Sequence, residues 1–215
     1  MTMTTAFDVP SYFEELSRTI QELPLPAIDR LVRVFLQAYD DGHTAFLFGN
    51  GGSAALASHM TCDLGKGTAP ANGKRLRAIA LTDNVALMTA WANDTRYEDI
   101  FAQQLENLLQ PGDIAFAISA SGNSPNILAA LSFARQAGAA TAGIAGFQGG
   151  KMKALCDVCV VVPSDNMQII EDLHLSIAHS VFRVLRHVIQ ETNLNGRGLV
   201  LSHPARDHSP TCLPG

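Results

Sequence analysis

TAFLFGNGGSAALASHM, residues 44–60, runs a short apolar stretch into a glycine-rich turn and then, without a gap, into a segment of helical character. Glycine lets the backbone turn tightly and approach a ligand closely, and Ser53 stands where a hydroxyl can cap the helix. The unpaired N–H groups of the first helical turn aim at any bound anion, so the turn is a candidate phosphate seat. Gly51, Gly52 and Ser53, with Asn50 beside them, are therefore candidate substrate-binding residues. The spacing fits neither G-x-G-x-x-G nor the Walker loop, so no nucleotide cofactor is expected.

Working outward, four more apolar runs follow: LRAIALT, DIAFAIS, AATAGIA and DVCVVVP. Each precedes a segment of helical pattern. Near-continuous apolar strands alternating with helices imply a parallel sheet covered on both faces. The expected fold is an α/β doubly wound, five-stranded parallel sheet in a flavodoxin-like three-layer sandwich. Two helices come before it, about 12–23 and 26–41, the second with Leu31, Val34, Phe35 and Ala38 on one stripe. A last helix is expected over 167–191, its buried stripe made by Leu173, Ile177, Val181, Val184, Leu185 and Val188.

A single domain spans 1–195 on this reading. Residues 196–215 carry three prolines and no sustained period, the mark of a mobile tail. The segment GKGTAPANGKR is the best candidate for a flexible loop, with Lys66, Lys74 and Arg75 solvated.

Composition narrows the function. Apolar residues make up 47% and charged residues 16%, as in a folded chain, and no apolar run is long enough to cross a bilayer. The start, MTMTTAFDVP, lacks the pattern of a secretory signal, which places the protein in the cytoplasm. A net charge of −5 without a basic run argues against direct nucleic-acid binding. Cysteines stand at 62, 156, 159 and 212; the C-x-x-C at 156–159 reads as part of a strand, with side chains on opposite faces, and not as a redox or metal pair.

The turn SASGNSPN, 119–126, repeats the first arrangement after another strand. Pro125 suits the first helical position and Ser124 the N-cap, which leaves Ser119 and Ser121 without a structural reason to be hydroxyls. Both turns belong at the carboxyl ends of strands, where such sheets bind ligands. Ser119, Ser121, Asn123 and Ser124 join the candidate set.

GNGGS, SASGNSPN and the later GGKM, in this order and spacing, resemble the sugar-isomerase (SIS) domain family and within it the bacterial phosphoheptose isomerases. The resemblance spans about residues 12–191. It implies that Ser53, Ser119, Ser121 and Ser124 contact a phosphosugar, the last three taking the phosphate, and that the protein is a homotetramer with active sites between subunits. It further implies conversion of sedoheptulose 7-phosphate to D-glycero-D-manno-heptose 7-phosphate, an aldose–ketose isomerisation. Such a reaction needs a base for the carbon-bound proton and an acid or metal for the carbonyl oxygen.

Aligned motifs put His59, Asp63, Glu171 and His179 on the family's zinc positions, where the family has His, Glu, Gln and His. Asp63 is one methylene shorter than its counterpart, and Glu171 adds a negative charge; both still offer oxygen to zinc. Asp63, Glu171 and His179 are the candidate catalytic groups. His59 and Asp63, four apart, share a helix face. Glu171 and His179 stand eight apart, about 12 Å of helical rise, so either the helix start bends or the two serve sites in different subunits. His174 could share a face with Glu171 or be structural. Asn93 and Asp94 match a sugar-site segment of the family, and equally a helix-ending turn. The rival reading is a non-catalytic relative that binds a phosphosugar or the replication initiator, which LTDNVALMTAWAND resembles.

Overall fold

The computed structural model describes residues 8–70 and 73–195. It opens with α1 (Val9–Gln21) and α2 (Leu25–Asp41). Then come β1 (Thr44–Gly49), α3 (Gly52–Cys62), β2 (Arg77–Ala80), α4 (Val85–Asp94), α5 (Ala102–Leu108), β3 (Ile114–Ser119), α6 (Pro125–Gln136), β4 (Ala140–Ala145), α7 (Met152–Leu155), β5 (Val158–Val161) and α8 (Met167–Asn195). The five strands are parallel, in the order β2-β1-β3-β4-β5. This is the doubly wound sheet expected from the five apolar runs. None of the described helices is long and apolar enough to cross a membrane.

Strand alternation divides the interior into two cores. Ala45, Leu47, Ile114, Phe116 and Ile118 face a cluster shared with α2, α3 and α8. Phe46, Phe48, Ala115 and Ala117 face another shared with α5 and α6. Aromatic contacts join each layer, Phe35 edge-on to Phe116 at 5.5 Å and Phe48 tilted against Phe101 at 5.4 Å between centroids. Tyr12 donates to an Asp172 carboxylate oxygen at 2.6 Å, linking α1 to α8; this bond holds the Tyr12 phenol up at about 12.

Three expectations change. Val184 is 44% exposed, so the α8 stripe runs through Ile169, Ile170, Leu173, Ile177, Val181, Leu185 and Ile189 instead. The stretch expected to loop from Gly65 starts later, because α3 continues as a wider π-turn over Asp63–Gly67. Lys74 there donates to the Asp40 carbonyl at 2.5 Å. Cys156 precedes β5 rather than lying in it, and both thiols pack against the same core. Their mutual hydrogen bond raises Cys156 and lowers Cys159. The tail expected over 196–215 lies outside the described residues.

Candidate functional site

The strand order reverses between β1 and β3, which are neighbours while the helices after them cover opposite faces of the sheet. Such a switch point opens a crevice beyond the carboxyl ends of the two strands. GNGGS and SASGNS are the turns that leave those strand ends. The topology thus sets both serine turns at the one place where this sheet type binds ligands.

In the first turn Gly51 adopts φ +56° and is the N-cap of α3. Ser53 is therefore inside the helix, 9% exposed, and does not cap it. Opposite the helix start lies Glu171. Its Oε1 is 3.2 Å from where a Cβ on Gly52 would stand, so glycine is what admits the carboxylate so near the first turn. A negative group is favoured at a helix N-terminus. Glu171 thus sets a carboxylate beside the first turn of α3, next to the expected phosphate seat.

The second turn is built to leave hydroxyls available. Gly122, at φ +62°, reverses the chain, and its carbonyl accepts the Met152 N–H at 2.9 Å. Ser119 Oγ accepts the Gly122 N–H and Ser121 Oγ the Asn123 N–H, each at 3.2 Å. Both keep an O–H to donate. Ser124 is the N-cap of α6 by position but makes no side-chain capping bond. Asn126 does that work, its Oδ1 accepting the Ile127 N–H at 2.9 Å. Asn123 is tied to the protein at both ends of its amide, donating to the Ser121 carbonyl at 3.0 Å and accepting from the Lys151 N–H at 3.0 Å. This is where GGKM meets SASGNS, and it gives Asn123 a loop-fixing use.

Three candidate metal ligands converge. His59 Nε2 and His179 Nε2 are 2.9 Å apart, and Asp63 Oδ2 is 3.5 Å from the first and 3.8 Å from the second. Bonds of about 2.0 Å to a tetrahedral ion give ligand–ligand edges of roughly 3.3 Å. The three separations bracket that edge, so the donor set and its spacing fit zinc. α3 brings His59 and, through the π-turn, Asp63; α8 brings His179. Glu171 is outside this three-residue cluster. The shortened Asp63 reaches it, whereas the added charge at 171 is turned to the start of α3.

A cleft of about 490 Å³ joins these groups, with Ser53, His59, Glu171, His174 and His179 in its wall. His174 is fully buried, and desolvation holds its imidazole down at about 4, so it is neutral near pH 7. Asn93 and Asp94 are exposed at the last turn of α4, bonded to each other at 2.8 Å, as the turn reading expects. Sequence reasoning missed Asn126 and Tyr97. Asn50, expected at the sugar, is engaged by both. Asn126 could have been suspected as a second polar residue inside a helix start; nothing in the sequence points Tyr97 at Asn50.

The SIS-domain family model matches residues 11–146. A phosphoheptose isomerase of Paramagnetospirillum magneticum is 44% identical over 152 residues, covering 71% of this chain and 79% of that one. Two solved phosphoheptose isomerases superpose with TM-scores of 0.78. That of Neisseria gonorrhoeae is 28% identical, with 83% of this chain and 97% of that chain covered. That of Francisella tularensis is 32% identical, with 86% and 100% covered.

Proposed function

Because the chain belongs to the SIS-domain family and lies among its phosphoheptose isomerases, we propose that it interconverts sedoheptulose 7-phosphate and D-glycero-D-manno-heptose 7-phosphate in the cytoplasm. The observation that carries the proposal is the convergence of His59, Asp63 and His179, with both histidines in the wall of a cleft that also holds Ser53 and Glu171. A binding scaffold has no need of that convergence.

In this reading Ser119, Ser121 and Ser124 donate to the phosphate, and Ser53 contacts the sugar. The reaction moves one proton between C1 and C2, with the carbonyl and hydroxyl oxygens exchanging roles. Glu171, beyond the three-residue cluster, takes the carbon-bound proton and returns it to the neighbouring carbon. His179, beside Asp63, orients the oxygen on which charge develops. A zinc ion on His59, Asp63 and His179 would supply Lewis-acid polarisation of that oxygen.

Exposed apolar surface supports self-association as part of this reading. α4 is mostly apolar, VALMTAWA, yet none of its residues is buried, and Val85 is 66% exposed. Phe13 and Leu25 add further apolar surface. Faces of this kind suit subunit contacts in a homotetramer.

The test is turnover of sedoheptulose 7-phosphate by purified protein, with and without zinc, together with deuterium uptake at the reacting carbons. His179→Ala is expected to lower kcat by about 10²- to 10⁴-fold while the sugar phosphate still binds. Absence of turnover in both conditions, with binding intact, would favour the non-catalytic alternative.

A further inference from the structure

Asn126 is the second residue of α6 and only 1% exposed, yet its side chain is where the two serine turns meet. Asn50 Nδ2 donates to Asn126 Oδ1 at 2.9 Å, and Asn126 Nδ2 donates back to Asn50 Oδ1 at 2.8 Å. Chemistry fixes which end is which. The Ile127 N–H can only donate, and it reaches Asn126 Oδ1, so Asn50 must present its NH₂ group there. Tyr97 donates its hydroxyl to Asn50 Oδ1 at 3.0 Å and fills that oxygen's second lone pair.

The sheet does not fix the width of the crevice. The β1–β3 ladder ends at Gly49 opposite Ile118, and beyond it the chains part to opposite faces. The amide pair is a direct cross-link beyond that last ladder pair. An apolar contact there would exclude water but would not define a distance; two reciprocal hydrogen bonds do both.

We propose that Asn50 and Asn126 are positioning residues: their amide pair sets the separation between the turn that takes the phosphate and the cleft that holds Ser53, Glu171 and His179. The pair thereby gauges which length of sugar phosphate reaches the proton-transfer groups. This rests on the proposed function, since it takes the two turns to hold two ends of one substrate.

Asn126→Asp tests the clamp with little change of size. It keeps an acceptor for the Ile127 N–H and replaces the donor toward Asn50 with an oxygen that faces Asn50 Oδ1. The kcat/KM for sedoheptulose 7-phosphate is expected to fall about 10- to 100-fold. Inhibition by inorganic phosphate should stay within about twofold of wild type, because the serine turn keeps its own bonds. As pH falls from about 8 toward about 5, the gap to wild type should narrow, since a protonated carboxyl regains a donor. Tyr97→Phe, at a half-exposed position that does not endanger folding, should give the same split at about three- to tenfold. Parallel loss of phosphate inhibition would mean that the pair merely props up the serine turn, and unchanged kcat/KM would mean that it sets nothing; either overturns the proposal. If wild type turns over no sedoheptulose 7-phosphate, the isomerase reading fails separately. The clamp is then read from calorimetric affinities for that sugar phosphate and for inorganic phosphate, with the same split expected.

Discussion

His174 lies in α8 with no exposed surface, and neither ring nitrogen has a hydrogen bond of good geometry. Burial depresses its folded-state pKa to about 4, offset only in part by the nearby Ala145 carbonyl. The unfolded chain, with histidine near 6.5, takes up a proton that the folded chain refuses between those two values. The stability tied to the neutral ring is therefore whole above about pH 6.5 and is lost as pH falls toward 4. Between about pH 7 and 5 the loss is on the order of 2 kcal/mol. Urea unfolding of wild type and His174→Leu at those two pH values should show the larger drop in wild type; equal drops would contradict a buried neutral ring. At this scale the sequence showed His59, Asp63 and His179 well, because helical spacing and motif order point to them. It did not show Asn126, whose meaning lies in a partner 76 positions away, nor that Glu171 would rest over Gly52.

The turns between elements carry more of the site than the elements do. Gly122 and Gly51 both have positive φ, at +62° and +56°, but a Cβ on Gly122 would stand 2.1 Å from the Gly149 carbonyl oxygen, whereas one on Gly51 would meet nothing within 4 Å. Gly51→Ala is expected to cost about 1 kcal/mol from backbone strain alone. Gly122→Ala adds a backbone clash and should cost about 3 kcal/mol or more, with loss of phosphate inhibition. Denaturant unfolding of the two variants separates strain from clash; equal costs would mean that the GGKM contact is not tight. The strands were legible nearly to the residue, because buried parallel strands are apolar throughout. The π-turn after α3 was not, since one extra residue per turn leaves no compositional trace, although it is part of what carries Asp63 to the histidines.

For the molecule as a whole, alternating strands and helices announced a parallel sheet, but periodicity alone does not order the strands. The crevice between β1 and β3 became visible only with the order β2-β1-β3-β4-β5. Subunit assembly belongs to this scale too. Sedimentation of wild type is expected to give a tetramer, and Val85→Glu, on the apolar outer surface of α4, to shift the population toward smaller species with reduced activity. A monomeric wild type with full activity would refute sites shared between subunits. His59 and His179 are 120 positions apart in the chain. Ribosomes lengthen a chain from its amino end at roughly 5–20 residues per second, so β1, α3 and both serine turns emerge seconds before α8 does. Until then the chain has neither Glu171 nor His179, nor the α8 residues that close the first core, so the groups proposed to move the proton meet only when the final helix docks.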